Sequence, residues 1–371
     1  MKTSFSDSLN IDQEEKEANY PLNTATDLDP LMDRVGNASY VLLGEASHGT
    51  HEYYVWRAEI TKRLIREKGF RVIAVEGDWP DCYRINRYIK GYDDQDKAPR
   101  EVLKAFRRWP TWMWANWEIV ALVEWLKTYN NEVSVEEQIG FYGLDVYSLW
   151  ESMEEILNYL SIADPEAAQL AQKAFNCFEP YHKDEYSYAK GQFSVSGSCR
   201  QSLINLLAEI RRKSPIYDHD PEGALNVEQN AYVAVDAEAY YASMMNFDNH
   251  TWNLRDTHMA EALQRLVDFH GCETKVVIWG HNTHVGDARY TDMVKSEMIN
   301  IGQLLRQKNK EQELVAVGFG SYQGSVTAGE RWGAVMQETN VPPAMEKSFE
   351  AILHEEYGQN RLLIFDREQH N

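Results

Sequence analysis

The chain has 371 residues, of which 43% are hydrophobic and 12% aromatic, so its composition is that of a globular protein with a large core. Its 58 acidic side chains outnumber the 37 Lys and Arg side chains and give a formal net charge of -21. A field of this sign repels phosphate backbones and anionic lipid surfaces, so we expect neither nucleic acid nor a membrane as a partner.

Two further features bear on the cellular compartment. The sequence has no apolar run of the roughly 18 residues that a membrane span needs, and its N-terminal stretch lacks the apolar core of a signal peptide. The four cysteines, Cys82, Cys177, Cys199 and Cys272, are scattered and form no CxxC pair, which is typical of a reducing compartment. These features predict a cytoplasmic protein.

The first third of the chain predicts a βαβ unit. Residues 1–26 are polar and acidic and are predicted to be a flexible N-terminal segment, and a short helix is predicted over 27–35. The run 40–43 is continuously apolar, as expected of a strand buried on both faces of a parallel sheet. Apolar residues at helical spacing over 51–68 predict a helix, and a second buried strand follows at 72–75.

The rest of the chain alternates apolar runs with long helical stretches. Further strands are predicted at 140–144, 275–279, 314–317 and 362–365. We therefore predict an α/β domain over 27–371, with a parallel or mixed central sheet flanked by helices. Two large helical insertions are expected at about 80–135 and 147–270.

Several of the predicted strands end in a polar residue that can take part in chemistry. These residues are Glu45, Glu76, Asp145 and His281. Ligand sites in open α/β sheets form outside the carboxyl ends of the strands, so we expect these side chains to gather at one rim.

His48 is the leading candidate for a catalytic residue. It lies in the loop after the first strand, between two glycines, with Glu45 before it and Arg57 in the following helix. A histidine accepts protons near neutral pH, and a carboxylate can hold it in the required tautomer. We interpret His48 as a general base; the alternative is a helix cap or a surface residue.

A second pair, His281 and His284, follows the strand predicted at 275–279. These histidines could donate hydrogen bonds to a developing oxyanion. Together with His48 and Glu76 they could instead bind Zn²⁺ or Mn²⁺. The general-base interpretation requires no cofactor, and the divalent metal remains the alternative. Glu76 itself could also be ion-paired to an arginine.

The segment 109–117 holds four tryptophans. Most such clusters belong to a core, and the alternative is a hydrophobic cleft in which Trp109 and Trp112 contact a substrate. The sequence contains no G-x-S-x-G and therefore no nucleophile elbow. A site with histidines, carboxylates and an arginine but no obvious serine or cysteine nucleophile suits direct attack by an activated water on a small-molecule hydrophobic substrate.

Long segments of the chain are similar to a known family. GEASHGTHEYYVWRAEITKRLI, GFRVIAVEGDWPD and WGHNTHVGDAR, together with WPTWMWANWE and NLRDTHMAE, resemble the erythromycin-esterase family, which includes succinoglycan-biosynthesis-like proteins. The similarity runs from about residue 20 to the C-terminus. It implies hydrolysis of a macrolide lactone by water without a covalent intermediate, and with it a role in antibiotic resistance.

The resemblance also implies which residues act. The family's general base, paired glutamates, two arginines and two later histidines fall on His48, Glu45, Glu76, Arg57, Arg255, His281 and His284. We expect Arg57, His281 and His284 to stabilise the oxyanion and Arg255 to contact the substrate. The family is not uniform in metal dependence, so a metal-dependent hydrolase remains open. So does a non-catalytic binding or accessory protein for a polyketide or saccharide.

Overall fold

The structure is a computed structural model that describes residues 19–191, 199–217, 220–246 and 249–365. Most of the predicted flexible segment 1–26 lies outside the described residues. Its last part is ordered, because Asn19–Pro21 forms a strand and Ala25–Leu28 a 3-10 helix.

The strands of the described chain are, in order, β1 Asn19–Pro21, β2 Tyr40–Leu43, β3 Val72–Asp78, β4 Gly140–Asp145, β5 Val276–Trp279, β6 Leu314–Val317, β7 Gly324–Ala328, β8 Gln337–Val341 and β9 Arg361–Leu363. The α-helices are α1 Asp29–Val35, α2 His51–Lys68, α3 Trp79–Ile89, α4 Pro99–Val102, α5 Trp117–Glu132, α6 Leu149–Ala163, α7 Pro165–Phe175, α8 Glu185–Gly191, α9 Arg200–Lys213, α10 Gly223–Ser243, α11 His250–His270, α12 Asn282–Val285, α13 Ile301–Lys308 and α14 Phe349–Tyr357.

The centre of the fold is a five-stranded sheet in the order β4-β3-β5-β2-β6, in which every pair is parallel. Side chains alternate between the faces of a strand. Val41 and Leu43 therefore pack with α1, α2, α3 and α5, whereas Leu42 packs with α11 and α13 on the opposite face. Both faces are covered, which is why these strands are continuously apolar. The predicted α/β fold with a parallel sheet is confirmed.

The two predicted insertions have different roles in packing. The first supplies α3 and α5 to one face of the sheet. The second forms a helical layer, α6 to α10, with a separate hydrophobic core. Its last helix, α11, returns to cover the other face of the sheet. The insertions therefore supply helices to both faces of the sheet.

Two elements differ from the sequence-based expectation. The strand predicted at 362–365 appears as β9, which pairs antiparallel with β1 instead of extending the central sheet. The antiparallel hairpin of β7 and β8 was not predicted, because its strands are largely polar and exposed.

Cys177 and Cys199 form a disulfide across the inserted helical layer, a pairing that their spacing did not indicate. Disulfides are typical of oxidising compartments, so the cysteines no longer favour a reducing one. Within the described ranges, no helix is long and apolar enough to cross a membrane.

Candidate active site at the carboxyl rim of the sheet

The polar residues at the strand ends meet at one rim, as predicted. The peptide N–H of His281 after β5 donates to Oε2 of Glu76 in β3, at 2.7 Å. The N–H of Asn282 donates to the carbonyl oxygen of Glu45 after β2, at 2.8 Å. Asp145, at the end of β4, joins them through Arg255. Side chains from four strands therefore share one small volume.

Asn282 ties the loops of this rim together. Its side-chain amide donates to the carbonyl oxygen of Phe319 after β6, at 2.7 Å. A Cβ on Gly44 would lie only 2.0 Å from its Oδ1, so only glycine permits this close approach. Asn282 therefore links the loops that follow different strands, a role that depends on the tertiary structure.

His48 and Glu45 form a hydrogen-bonded pair. Nδ1 of His48 lies 2.7 Å from Oε1 of Glu45, and Nη2 of Arg57 donates to Oε2 of the same carboxylate, also at 2.7 Å. Arg57 is fully buried, with its guanidinium 4.6 Å from the ring centroids of both Tyr54 and Trp279. The buried Arg57 thus holds the carboxylate of Glu45 in place, while the His48 side chain remains 31% exposed.

This geometry gives Arg57 a different role from the one expected. A buried guanidinium stacked between two rings does not reach a substrate in this conformation, so oxyanion stabilisation by Arg57 is not supported. Arg57 instead positions Glu45, which in turn orients His48.

Glu76 and Arg255 form the centre of a buried ionic cluster. Nη2 of Arg255 donates to Oε1 of Glu76 at 2.7 Å, and Nε and Nη2 donate to the two oxygens of Asp145 at 2.9 and 2.6 Å. Oε1 of Glu76 also lies 3.9 Å from Nε2 of His48. Arg255 therefore reaches the site from α11, but its Nε and Nη2 donate to carboxylates and its Nη1 lies against His284 instead of being free for a substrate.

His284 lies deeper in the same cluster. Its Nδ1 lies 2.9 Å from Oδ1 of Asp256, and its Nε2 lies 3.4 Å from Oε1 of Glu76. The ring is 2% exposed and stacks on Trp252, with 4.6 Å between ring centroids. Oxyanion stabilisation by His284 is not supported in this conformation, because the side chain is buried behind Glu76.

Burial lowers the pKa of His284, but the charge of Glu76 and the hydrogen bond to Asp256 outweigh it and raise the pKa to about 9. Nη1 of Arg255 lies 2.9 Å from Nε2, a contact that favours the neutral ring. We favour the protonated ring, because a neutral ring would leave the buried cluster with more negative than positive charges. The cluster contains four carboxylates and two guanidiniums, which belong to Glu45, Glu76, Asp145, Asp256, Arg57 and Arg255.

His281 is half-buried beside His48, with 5.4 Å between the ring centroids. Its Nε2 lies 3.0 Å from the carbonyl oxygen of Ala46, so this nitrogen carries the proton and donates it. Nδ1 then accepts from the hydroxyl and the peptide N–H of Thr283. Burial lowers the pKa of His281 below its ordinary value, so the ring is neutral at pH 7.

The pKa of His48 shifts in the opposite direction. Burial acts to lower it, but the hydrogen bond to Glu45 and the charges of Glu76 and Glu45 outweigh burial and raise the pKa above 6.5. For Glu76 burial acts to raise the pKa, but the positive charges of His284 and Arg255 hold it well below 4.5. The site therefore pairs an ionised carboxylate with a histidine that titrates above its ordinary range.

The two candidate tryptophans stand beside the His48 loop. Gly49 has a φ of +89° and its carbonyl oxygen accepts from the N–H of Thr327 in β7, at 3.1 Å. Nε1 of Trp112 comes within 3.1 Å of the position that a Cβ on Gly49 would occupy. Trp109 contacts Trp112 with 5.2 Å between ring centroids. Trp112 thus lies against Gly49, the residue after His48, and Trp109 packs on Trp112.

The proposed metal ligands do not converge on a common point. His281 uses both ring nitrogens on Ala46 and Thr283, and Nη1 of Arg255 lies 2.9 Å from Nε2 of His284. Among the residues that the structure describes, no group of three or more His, Cys, Asp or Glu side chains is arranged to hold a metal ion. The donor set of this conformation does not fit a metal.

A cavity of about 1880 Å³ lies behind the His48 loop, between α2, β6, the hairpin and α14. Its described lining includes Thr50 and Tyr53, but not His48, Glu76 or Arg255. We place the chemistry at the rim, where the carboxylate of Glu45 orients the partly exposed ring of His48.

Sequence reasoning placed Asp145 at the rim without giving it a role, and it missed Asp256 altogether. Asp145 fixes Arg255, and Asp256 holds His284 and accepts the N–H of Ile301 at 2.9 Å. The adjacent pair Arg255-Asp256 on one helix was the available signal, because a charged pair inside an apolar helix face requires buried partners.

Comparison with known proteins identifies the family to which the chain belongs. Residues 65–370 match the family model described as Erythromycin esterase. The chain is 23% identical over 335 residues to Erythromycin esterase type II of Escherichia coli, covering 84% of this chain and 75% of that protein. It is 24% identical over 336 residues to Putative hydrolase YbfO of Bacillus subtilis (strain 168), covering 84% and 71%.

The fold has solved counterparts. A crystal structure described as a succinoglycan biosynthesis protein is 23% identical and superposes with a TM-score of 0.74, covering 95% of this chain and 85% of that chain. This likeness shows a shared fold. Because the family model spans most of the sequence, the resemblance seen in the motifs is confirmed, and the chain belongs to the erythromycin esterase family.

Proposed function

We propose that the protein hydrolyses a carboxylic ester or lactone with a water molecule activated by His48, without a covalent intermediate. Family membership supports an activity of the esterase or hydrolase type. The observation that carries the proposal is the Glu45–His48 pair: the 2.7 Å contact holds the proton of His48 on Nδ1, which leaves Nε2 at the half-open rim to accept one.

The reaction then proceeds in two steps. Nε2 of His48 takes a proton from water, the hydroxide oxygen bonds to the carbonyl carbon, and the carbonyl electrons move onto its oxygen. The tetrahedral intermediate collapses, the bond to the alcohol oxygen breaks, and Nε2–H returns the proton to this leaving group. An ester yields an acid and an alcohol, and a lactone yields a hydroxy acid.

We assign the oxyanion contact to His281. It is a neutral donor beside His48, and its Nε2–H could turn from the carbonyl oxygen of Ala46 to the oxyanion. Glu76 is placed to stabilise the imidazolium of His48 during the reaction, since its carboxylate lies 3.9 Å from Nε2.

For the substrate, we propose a hydrophobic small-molecule ester or lactone. A macrolide is the first candidate, because one relative is described as an erythromycin esterase. Ring opening of a macrolide would give the protein a role in antibiotic resistance. The tryptophans beside the His48 loop supply apolar surface of the kind that such a ring requires.

Mass spectrometry of a macrolide and of simple esters, incubated with the wild type and with His48→Asn, tests this proposal. We expect a gain of one water by the substrate with the wild type alone. An acyl adduct on the intact protein would contradict direct attack by water. Binding without product, for every compound, would favour an accessory protein that holds its ligand.

The pH dependence follows from the raised pKa of His48. The base is active when it is neutral, so kcat/KM should rise with pH and reach half its maximum above pH 6.5, the ordinary histidine value. Glu45→Gln should move this midpoint to lower pH, because it removes the carboxylate that raises the pKa. An unchanged midpoint in Glu45→Gln would show that another group controls the rate.

We further propose that water activation needs no divalent metal. The activity of protein purified without chelators should be unchanged after EDTA treatment, and the protein should hold no stoichiometric Zn²⁺ or Mn²⁺ in elemental analysis. Loss of activity with EDTA, restored by added Zn²⁺ or Mn²⁺, would establish the metal-dependent mechanism instead.

A further inference from the structure

Three indole rings from two distant parts of the chain stand in a row. Trp109 and Trp112 come from the segment between α4 and α5, and Trp332 comes from the turn between β7 and β8. Ring centroids are 5.2 Å apart for Trp112 and Trp109, and 4.5 Å apart for Trp109 and Trp332. We call these three residues the tryptophan row.

The inner end of the row touches the His48 loop. Trp112 packs against Gly49, which directly follows His48, and its buried Nε1 has no hydrogen-bond partner within the described chain. The hairpin that carries Trp332 is joined to the same glycine by the hydrogen bond from Thr327. The row therefore begins at Gly49, the residue that follows His48, and ends at the hairpin turn.

The outer end of the row is exposed yet held in place. Trp332 is 72% exposed, and the neighbouring Val335 and Met336 are 87% and 55% exposed. Nε1 of Trp109 donates to the carbonyl oxygen of Ala334 at 2.9 Å, which fixes the turn on the row. A cluster of exposed apolar side chains that is linked to a reaction site is a candidate place for ligand binding.

The exposed apolar side chains of this surface favour an apolar occupant, although Arg331 and Gln337 are exposed in the same hairpin. The indole N–H of Trp109 is already used within the protein, and Val335 and Met336 add apolar area. A saccharide would need hydrogen-bond partners around the stacking face, whereas a hydrocarbon or aromatic group does not.

We propose that Trp332 is a specificity-determining residue, which binds an apolar group of the ester substrate that extends beyond the reacting carbonyl. This assignment rests on the proposed function of the His48 site. It requires esters with a bulky apolar portion to bind more tightly than small esters, and the difference should disappear when the Trp332 ring is removed.

Hydrolysis of ethyl acetate and of 2-(2-naphthyl)ethyl acetate, followed by acid release at constant pH, tests this role. Trp332→Ala should raise KM for the naphthyl ester about tenfold, the size of one good aromatic contact. The kcat/KM for ethyl acetate should stay unchanged. Trp332→Phe, which keeps an aromatic ring, should restore most of the lost affinity.

Trp117→Ala is the matched control, because Trp117 is 71% exposed but lines a different groove with Leu103 and Phe106. Trp117→Ala should leave both the KM for the naphthyl ester and the kcat/KM for ethyl acetate unchanged. An unchanged KM for the naphthyl ester in Trp332→Ala, or an equal loss for both esters, would overturn the proposal, since an equal loss indicates a structural role.

A binding measurement separates this proposal from the proposed hydrolysis. The ethyl ether of 2-(2-naphthyl)ethanol has the same apolar group and no scissile ester, and its Kd can be measured by calorimetry. A Kd about tenfold higher in Trp332→Ala than in the wild type supports the binding role of Trp332 even if neither ester is hydrolysed. Equal Kd values, or no binding to the wild type, would refute it.

Discussion

His48→Ala is expected to lower turnover at least about a hundredfold, because general-base assistance typically contributes about 10²–10⁴ in rate. The fold should be retained, since the His48 side chain is 31% exposed and lies in a loop. The loss of activity is measured as the turnover of the ester that the wild type hydrolyses best. Retention of the fold is checked by circular dichroism and by the midpoint of thermal unfolding.

His51→Ala is the matched control for this variant. His51 lies three residues further along, is 65% exposed, and contacts Glu118 instead of the ionic cluster. Its loss should leave turnover within about twofold, as for a surface substitution away from the chemistry. If His48→Ala kept more than a tenth of the wild-type rate, His48 would not be the base.

Arg255→Ala should be the most destabilising single change at the site. It leaves Glu76 and Asp145, which are 3% and 6% exposed, without their shared cation. Removing one partner of a buried ion pair typically costs about 3–5 kcal/mol. We therefore expect the free energy of unfolding, measured by urea denaturation at pH 7, to fall by about that amount.

The loss should also depend on pH. Protonation of the carboxylates that have lost their partner relieves the buried charge, so the difference from the wild type should shrink as the pH is lowered. Arg84→Ala serves as the control, because its ion pair with Glu155 is exposed and such pairs contribute about 0–1 kcal/mol. Equal losses for the two variants would mean that the cluster does not depend on Arg255.

Arg255→Lys tests whether charge alone is sufficient. A lysine keeps the positive charge but cannot donate to both oxygens of Asp145 and to Glu76 at the same time. Its stability should lie between those of the wild type and Arg255→Ala. This variant also keeps the prediction testable if the alanine variant does not fold.

Local patterns were enough to predict most of the sheet. The runs 40–43 and 314–317 and the helix 51–68 match the observed elements, because continuous apolar runs and helical periodicity act over a few residues. The gathering of Glu45, Glu76, Asp145 and His281 at one rim also followed, since the strands are parallel and their carboxyl ends lie on one side.

Pairing between distant segments could not be derived in this way. The strand predicted at 362–365 was expected to follow the pattern of the central strands, but β9 pairs with β1 at the other end of the chain. The hairpin of β7 and β8 has too few apolar residues to give a local signal, yet it brings Trp332 to Trp109.

The sequence by itself therefore determined the fold class, the family and the reactive residue types, because these depend on short-range periodicity and on motifs. Only the tertiary structure decided what each group can do. In the folded chain Arg57 is buried behind Glu45 and His284 is buried behind Glu76, whereas the His48 side chain stays partly exposed. The tryptophan row contacts Gly49. Burial, charge pairing and stacking depend on neighbours from distant segments, and these neighbours set the chemistry of each side chain.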